Sequence, residues 1–181
     1  MLLDASKTSL LIVDVQERLL PAMQESERVV SRNKILLKTA EALEIPVTIS
    51  EQYPKGLGRT VPELLLPSAK VFEKMSFSCW RDAEMRKHFI ELHEHERPLI
   101  IVAGIEAHVC VLQSCIDLYN AGFGVFAVAD AMSSRMPSSA SLAFDRLRGA
   151  GIQVINTEMA VFELMEKAGT PMFKALSGLI K

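Results

Sequence analysis

The chain has 181 residues, 49% of them hydrophobic and 23% charged, with 9 Gly, 8 Pro and 3 Cys. This excludes disordered, collagen-like and disulfide-framework classes and leaves one globular domain over residues 1–181, expected to bury roughly 70% of its unfolded surface. Twenty Lys plus Arg against twenty-two Asp plus Glu gives a net charge of -2, and no basic run is dense enough to track phosphates, so a nucleic-acid partner is not expected.

In chain order, Thr8 to Val13 is a β-rich run ending at Asp14, and Pro21 to Glu44 repeats apolar residues at helical spacing (Val29, Leu36, Ala40, Leu43). After Pro46, Val47 to Ser50 reads as a second strand, followed by a loop, EQYPKGLG, that Pro and two Gly punctuate. Lys70 to Phe72 is a third run, Arg81 to His95 a polar-faced helix, and Leu99 to Ala103 a fourth strand. Val109 to Asn120 reads as a helix stopping before Gly122, Val125 to Ala129 as a fifth strand and Ser138 to Arg148 as a helix closed by Gly149 and Gly151. Ile152 to Ile155 is a sixth strand, Glu158 to Lys167 the last full helix, and a short amphipathic tail follows Pro171. Strands alternating with helix-length crossovers predict an α/β fold, a doubly wound, Rossmann-like three-layer arrangement around a six-stranded, mostly parallel sheet. No stretch approaches the ~20 apolar residues that span a bilayer, and the first residues lack a basic region ahead of an apolar one. A membrane partner is therefore not expected, and the cytoplasm is the expected location.

Ligands of such sheets bind beyond the carboxyl ends of the strands. The residues there are Asp14; Glu51; Glu73 and Lys74; Gly104, Ile105 and Glu106; Asp130; Asn156 and Thr157. Cys110 follows strand four where GIEAHVC turns into a helix, and a first-turn thiol there gains from the helix dipole, which favours the thiolate. Cys115 lies about 140° further round that helix, so it reads as a small buried hydrophobe, and Cys79 in SFSCW reads as pocket wall or core. Singly, each candidate has an ordinary explanation: Cys110 as a buried thiol, Asp14 as a helix cap, Lys74 as a solvated surface charge. Together, a carboxylate able to take a thiol proton, an ammonium able to hold negative charge and a helix-start thiol form a nucleophilic constellation.

LLIVDVQ around Asp14, EKMSFS around Lys74 and GIEAHVCVLQS around Cys110 resemble the three signature blocks of the isochorismatase-like cysteine hydrolases. The EQYPKGLG, ADAMSSR and INTEMAVFELM segments are most similar to the isochorismatase-domain-containing branch, whose relatives include nicotinamidases and N-carbamoylsarcosine amidases. The resemblance implies an Asp14, Lys74, Cys110 triad acting through an acyl-thioester on a small amide-like substrate. It also implies a cis peptide bond between Ile105 and Glu106, with the backbone N–H groups of Glu106 and Cys110 as oxyanion hole. Cys110 argues against the vinyl-ether cleavage of true isochorismatases, which lack it. The Asp-x-His of metal-dependent nicotinamidases is replaced by SEQYPKGLG, so neither a metal nor another cofactor is expected. Ala107 stands where many relatives carry Thr.

Gln16, Tyr53, Phe77, Trp80 and Ile105 are the expected substrate-binding residues, and His88, His93 and His95 are expected to be solvated. His108 is read either as a substrate or subunit contact or as a surface helix start. The aliphatic excess points to a homo-oligomer with a small-molecule substrate. Two other readings remain open: a binding or scaffolding module of the same fold, and a redox-reactive thiol protein.

Overall fold

A computed structural model describes residues 1–180. The six β-rich runs form β1 (Thr8–Val13), β2 (Val47–Gln52), β3 (Lys70–Lys74), β4 (Leu99–Ile105), β5 (Gly124–Ser133) and β6 (Gln153–Ile155), joined in one sheet in the order β3-β2-β1-β4-β5-β6. Every pairing is parallel. The helices are α1 (Ser26–Ala42), α2 (Pro54–Leu57), α3 (Ala83–Glu94), α4 (Leu112–Asn120), α5 (Pro137–Gly149), α6 (Thr157–Met165) and α7 (Pro171–Ser177).

The central strands are buried on both faces, which is why they read as continuous apolar runs. Successive residues of β1 serve opposite layers: Leu10 and Ile12 pack with α1 and α6 residues such as Leu36 and Leu164. Leu11 and Val13 pack with Met85 and Phe89 of α3, Leu118 of α4 and Leu147 of α5. Sheet order reverses between β1 and β4, the switch point at which crevices open in such folds. There the two backbones approach closely. Val13 pairs with Gly104, whose φ is +112° and where a Cβ would lie 2.2 Å from the Val13 carbonyl oxygen. Only glycine fits that contact.

The strands outrun their apolar cores. β2 and β3 each continue for two residues past the apolar run, so Glu51, Gln52 and Lys74 are strand residues. β5 runs to Ser133 beyond a register shift in its pairing with β4. Ahead of α4, residues Ala107–Val111 form one wide turn of π-helix. His88 departs from the solvated expectation: it is buried, with Nε2 2.9 Å from the Thr48 hydroxyl and its ring against Phe72. His93 and His95 are exposed.

Candidate active site

Asp14 follows β1 in a left-handed conformation, φ +51°, a region that Asp tolerates better than most residues. Its N–H continues the sheet ladder to the Ser50 carbonyl, and its carboxylate is fully buried. Oδ2 accepts from Lys74 Nζ at 2.7 Å and Oδ1 from the Ser50 hydroxyl at 2.7 Å. Lys74 ends β3, two strands or roughly 10 Å of sheet from β1, so its side chain and that of Asp14 meet over the end of β2. The ammonium also donates to Gln52 Oε1 at 2.8 Å and to the carbonyls of Ser76 and Phe77 at 3.3 and 3.2 Å. Burial alone would push the lysine toward neutrality; the Asp14 carboxylate, with Cys79 and Cys110 behind it, more than offsets this and the pKa rises. Lys74 is a buried cation, not a solvated surface charge.

Cys110 occupies the π-helical turn, almost fully buried. The thiol faces Asp14 and Lys74. Burial first, then the negative charge of Asp14, pushes its pKa up, and the nearby ammonium offsets only part of this. Burial and the neighbouring carboxylate thus oppose the preference for a thiolate that the helix start provides. Such a thiol needs a base to react, and the carboxylate beside it can supply one.

Cys79 is fully buried in the core layer, as one of its two expected readings had it, and also belongs to the same network. Its Sγ lies 3.5 Å from the Ser50 hydroxyl, its N–H donates to Ser114 Oγ at 2.8 Å, and Ser114 donates in turn to the Cys110 carbonyl at 2.7 Å. Burial raises the Cys79 thiol to about 11. Cys115 is a packed core residue, and all three cysteines are free.

The Ile105–Glu106 peptide bond is cis. The Glu106 side chain accepts from Arg135 Nε at 2.9 Å, and His108 Nδ1 lies 2.9 Å from the Ser134 hydroxyl, so the turn after β4 is tied to the end of β5. Tyr53 and Phe77 are exposed beside Lys74, and Tyr53 borders a cleft of about 460 Å³ with Lys55, Met75 and Ser76. Three expected substrate contacts are engaged elsewhere. Ile105 points into the apolar core, and Trp80 packs edge-on against Phe123. Gln16 is buried, donating to the carbonyls of Gln52 and Gly58 and accepting from the Gln52 N–H at 2.8 Å. It therefore clamps the backbone of the residue that holds Lys74. Glu51, Asp130 and Asn156 also have structural partners: Glu51 accepts from Thr60 and Arg59, whereas Asp130 and Asn156 accept the first N–H groups of α6.

The sequence pattern makes Ser50 the last residue of a strand and Gln52 part of the loop after it, whereas both lie in β2 and face the site. The signal was present in VTISEQ, where alternate residues of a doubly buried strand are polar. Among the described residues no three His, Cys, Asp or Glu side chains are arranged to hold a metal ion, and no helix is long and apolar enough to cross a membrane.

The sequence profile of the isochorismatase domain matches residues 8–159. The secreted isochorismatase effector Isc1 of Phytophthora sojae is 37% identical over 177 residues, covering 95% of this chain and 83% of that protein. Isochorismatase domain-containing protein 1 of Danio rerio is 39% identical over 169 residues, covering 93% of this chain but only 59% of that longer protein. Among solved structures, the MAR1 ribonuclease from Caenorhabditis elegans superposes with a TM-score of 0.92 at 32% identity, over 99% of this chain and 92% of that one. YcaC from Pseudomonas aeruginosa, with covalent acrylamide, superposes with a TM-score of 0.91 at 25% identity, over 98% and 91%. With the matched profile spanning most of the sheet and both relatives above 35% identity across nearly the whole chain, the protein belongs to the isochorismatase family.

Proposed function

We propose that the chain is a cofactor-independent cysteine hydrolase acting on a small amide-like substrate, with Asp14, Lys74 and Cys110 as its catalytic residues. The observation that carries this reading is the fully buried Lys74–Asp14 pair, 2.7 Å apart, beside the Cys110 thiol. Asp14 takes the Cys110 proton; the sulfur electron pair forms a C–S bond to the substrate carbonyl carbon, and the C=O π pair moves to oxygen. The backbone N–H groups of Glu106 and Cys110 receive that oxyanion. As C=O re-forms, the C–N bond breaks and the proton held by Asp14 leaves on the amine. Water then adds to the thioester, gives its proton to Asp14, and expels the sulfur, which recovers the proton. Lys74 holds the summed charge near neutral at each stage.

Capture of acrylamide by the YcaC relative supports a reactive nucleophile in this architecture. Cleavage of RNA, the reading that the MAR1 name would carry over, needs cationic groups free to face phosphate. Here the site ammonium itself is spent on internal acceptors. We include self-association in the reading, since Met75 and Phe77 are 70% and 54% exposed beside the site and large apolar side chains of this kind are commonly covered by a partner.

The test is carboxamidomethylation of the native protein with iodoacetamide, read by peptide mass spectrometry. Cys110 should react faster than Cys79 and Cys115, and Asp14→Asn or Lys74→Ala should slow it at least tenfold. A panel of small primary amides should yield a Cys110 acyl adduct, whereas a single-stranded RNA oligonucleotide should remain intact. Equal reactivity of the three thiols would favour a binding module instead.

A further inference from the structure

All six residues of β2 are buried, yet Thr48, Ser50 and Gln52, which share one face by the two-residue period of a strand, are polar. Each hydroxyl or amide must therefore have a specific partner. Thr48 meets His88 and Gln52 holds Lys74. Ser50 meets Asp14 and Cys79. A serine hydroxyl has one proton and two lone pairs. With its proton committed to Asp14 Oδ1, Ser50 can only accept from Cys79, and burial keeps Cys79 a thiol able to donate. The donors thus run in one direction, from Cys79 S–H to Ser50 O–H to the carboxylate.

We propose that Ser50 is a positioning residue for Asp14: its hydroxyl, backed by the Cys79 thiol, fixes Oδ1 so that the carboxylate stays aimed at Cys110. This rests on the triad reading given above. The terminal torsion of an aspartate is broad and two-fold, so a single donor leaves the carboxyl plane free to turn. Here two donors from different strands, Ser50 of β2 on Oδ1 and Lys74 of β3 on Oδ2, fix both its place and its rotation. The charged and titratable groups facing Asp14 are Lys74 from β3, Cys79 from the turn before α3, and Cys110 from the turn before α4. Ser50 is the neutral member that orders them.

The experiment is the pH–rate profile of Cys110 carboxamidomethylation in the native protein and in the Ser50→Ala, Ser50→Thr, Ser50→Cys, Cys79→Ala and Asp14→Asn variants. Folding is checked by circular dichroism and by continued protection of Cys115. Losing a donor disfavours the ionised carboxylate, so the acid limb in Ser50→Ala should move to higher pH by about one unit. Ser50→Thr should restore it, and Cys79→Ala should move it less, in the same direction. If Ser50→Ala does not fold, Ser50→Cys, of similar volume and weaker donor strength, should give an intermediate shift. A role limited to packing would change the rate at every pH and leave the limb in place, which would overturn the proposal, as would failure of the threonine to restore it. If Asp14→Asn leaves Cys110 labelling unchanged, the triad itself falls; if Asp14→Asn slows labelling while Ser50→Ala has the wild-type limb, only the positioning role falls.

Discussion

A lysine ammonium can remain charged without water only if protein groups replace its hydration shell. Around Lys74 those groups are the Asp14 carboxylate, the Gln52 amide oxygen and two backbone carbonyls. The pair is therefore a poor candidate for adding stability and a strong one for penalising its own disruption. Lys74→Met leaves Asp14 as an uncompensated buried charge and should lower unfolding free energy by about 3–5 kcal/mol in urea titrations. The double variant Asp14→Asn with Lys74→Met should lose clearly less than the sum of the single changes, because it buries no lone ion. Since the folded lysine pKa is raised from 10.5, its contribution is complete below that value and fades only as pH climbs through the folded one. The parent should accordingly show no lysine-linked change in stability between pH 6 and pH 8. Equal losses for the double variant and the summed singles would mean that the two groups do not sense one another.

At the level of elements, the most telling junction is where α3 lies on β2 and β3 through His88. The ring bonds Thr48 of β2, contacts Phe72 of β3 and has its second nitrogen 3.4 Å from Lys70 Nζ. Burial, and then Lys70, lowers its pKa below 6.5, with Glu91 opposing. A base with a depressed folded pKa binds protons more readily when unfolded, so stability is complete above pH 6.5 and declines as pH falls below it. Urea midpoints should drop between pH 7 and pH 5.5 in the parent and drop less in His88→Gln; parallel declines would remove His88 as the cause. This histidine also marks the limit of what pattern reveals. Helical period located α3, and apolar runs located every strand, because both follow from burying one layer of side chains. Whether a polar residue on a helix face meets solvent or a serine or threonine of the next layer depends on strand register, which no local pattern encodes. The same holds at the site: Asp14, Lys74 and Cys110 stand at strand ends and were legible, as was Cys115 in the core. Ser50, Gln52 and the second role of Cys79 emerged only once β2 was seen to pass between β1 and β3. Gln16, Trp80 and Ile105 were placed beside the substrate by proximity in sequence, and packing engages each of them elsewhere.

Across the whole molecule, the three thiols report on different scales of opening. Cys110 lies at the switch-point edge with a small fraction of its surface exposed, whereas Cys79 and Cys115 have none. Cys115 is enclosed by the layer that α3, α4 and α5 build against β4 and β5. No side chain on that face can move aside locally without breaching the layer, so exposure of Cys115 requires cooperative unfolding. Cys110 needs only motion of the turn after β4 and the loops around Tyr53 and Phe77. In sub-denaturing urea, the alkylation rate of Cys115 should rise exponentially with concentration, with a slope equal to the m-value of global unfolding. The rate at Cys110 should stay nearly flat until the transition itself. Cys79 distinguishes site from core: anchored by its N–H to Ser114 and by its thiol to Ser50, it should follow Cys115 if the switch-point edge opens only with the fold. A shallower slope for Cys79 would locate a separate, weaker cooperative unit comprising the turn before α3 and the end of β3. The Lys74 carbonyl contacts at Ser76 and Phe77 tie that segment to the buried ion pair, so the slope at Cys79 should match the slope at Cys115 in the parent and fall below it in Lys74→Met.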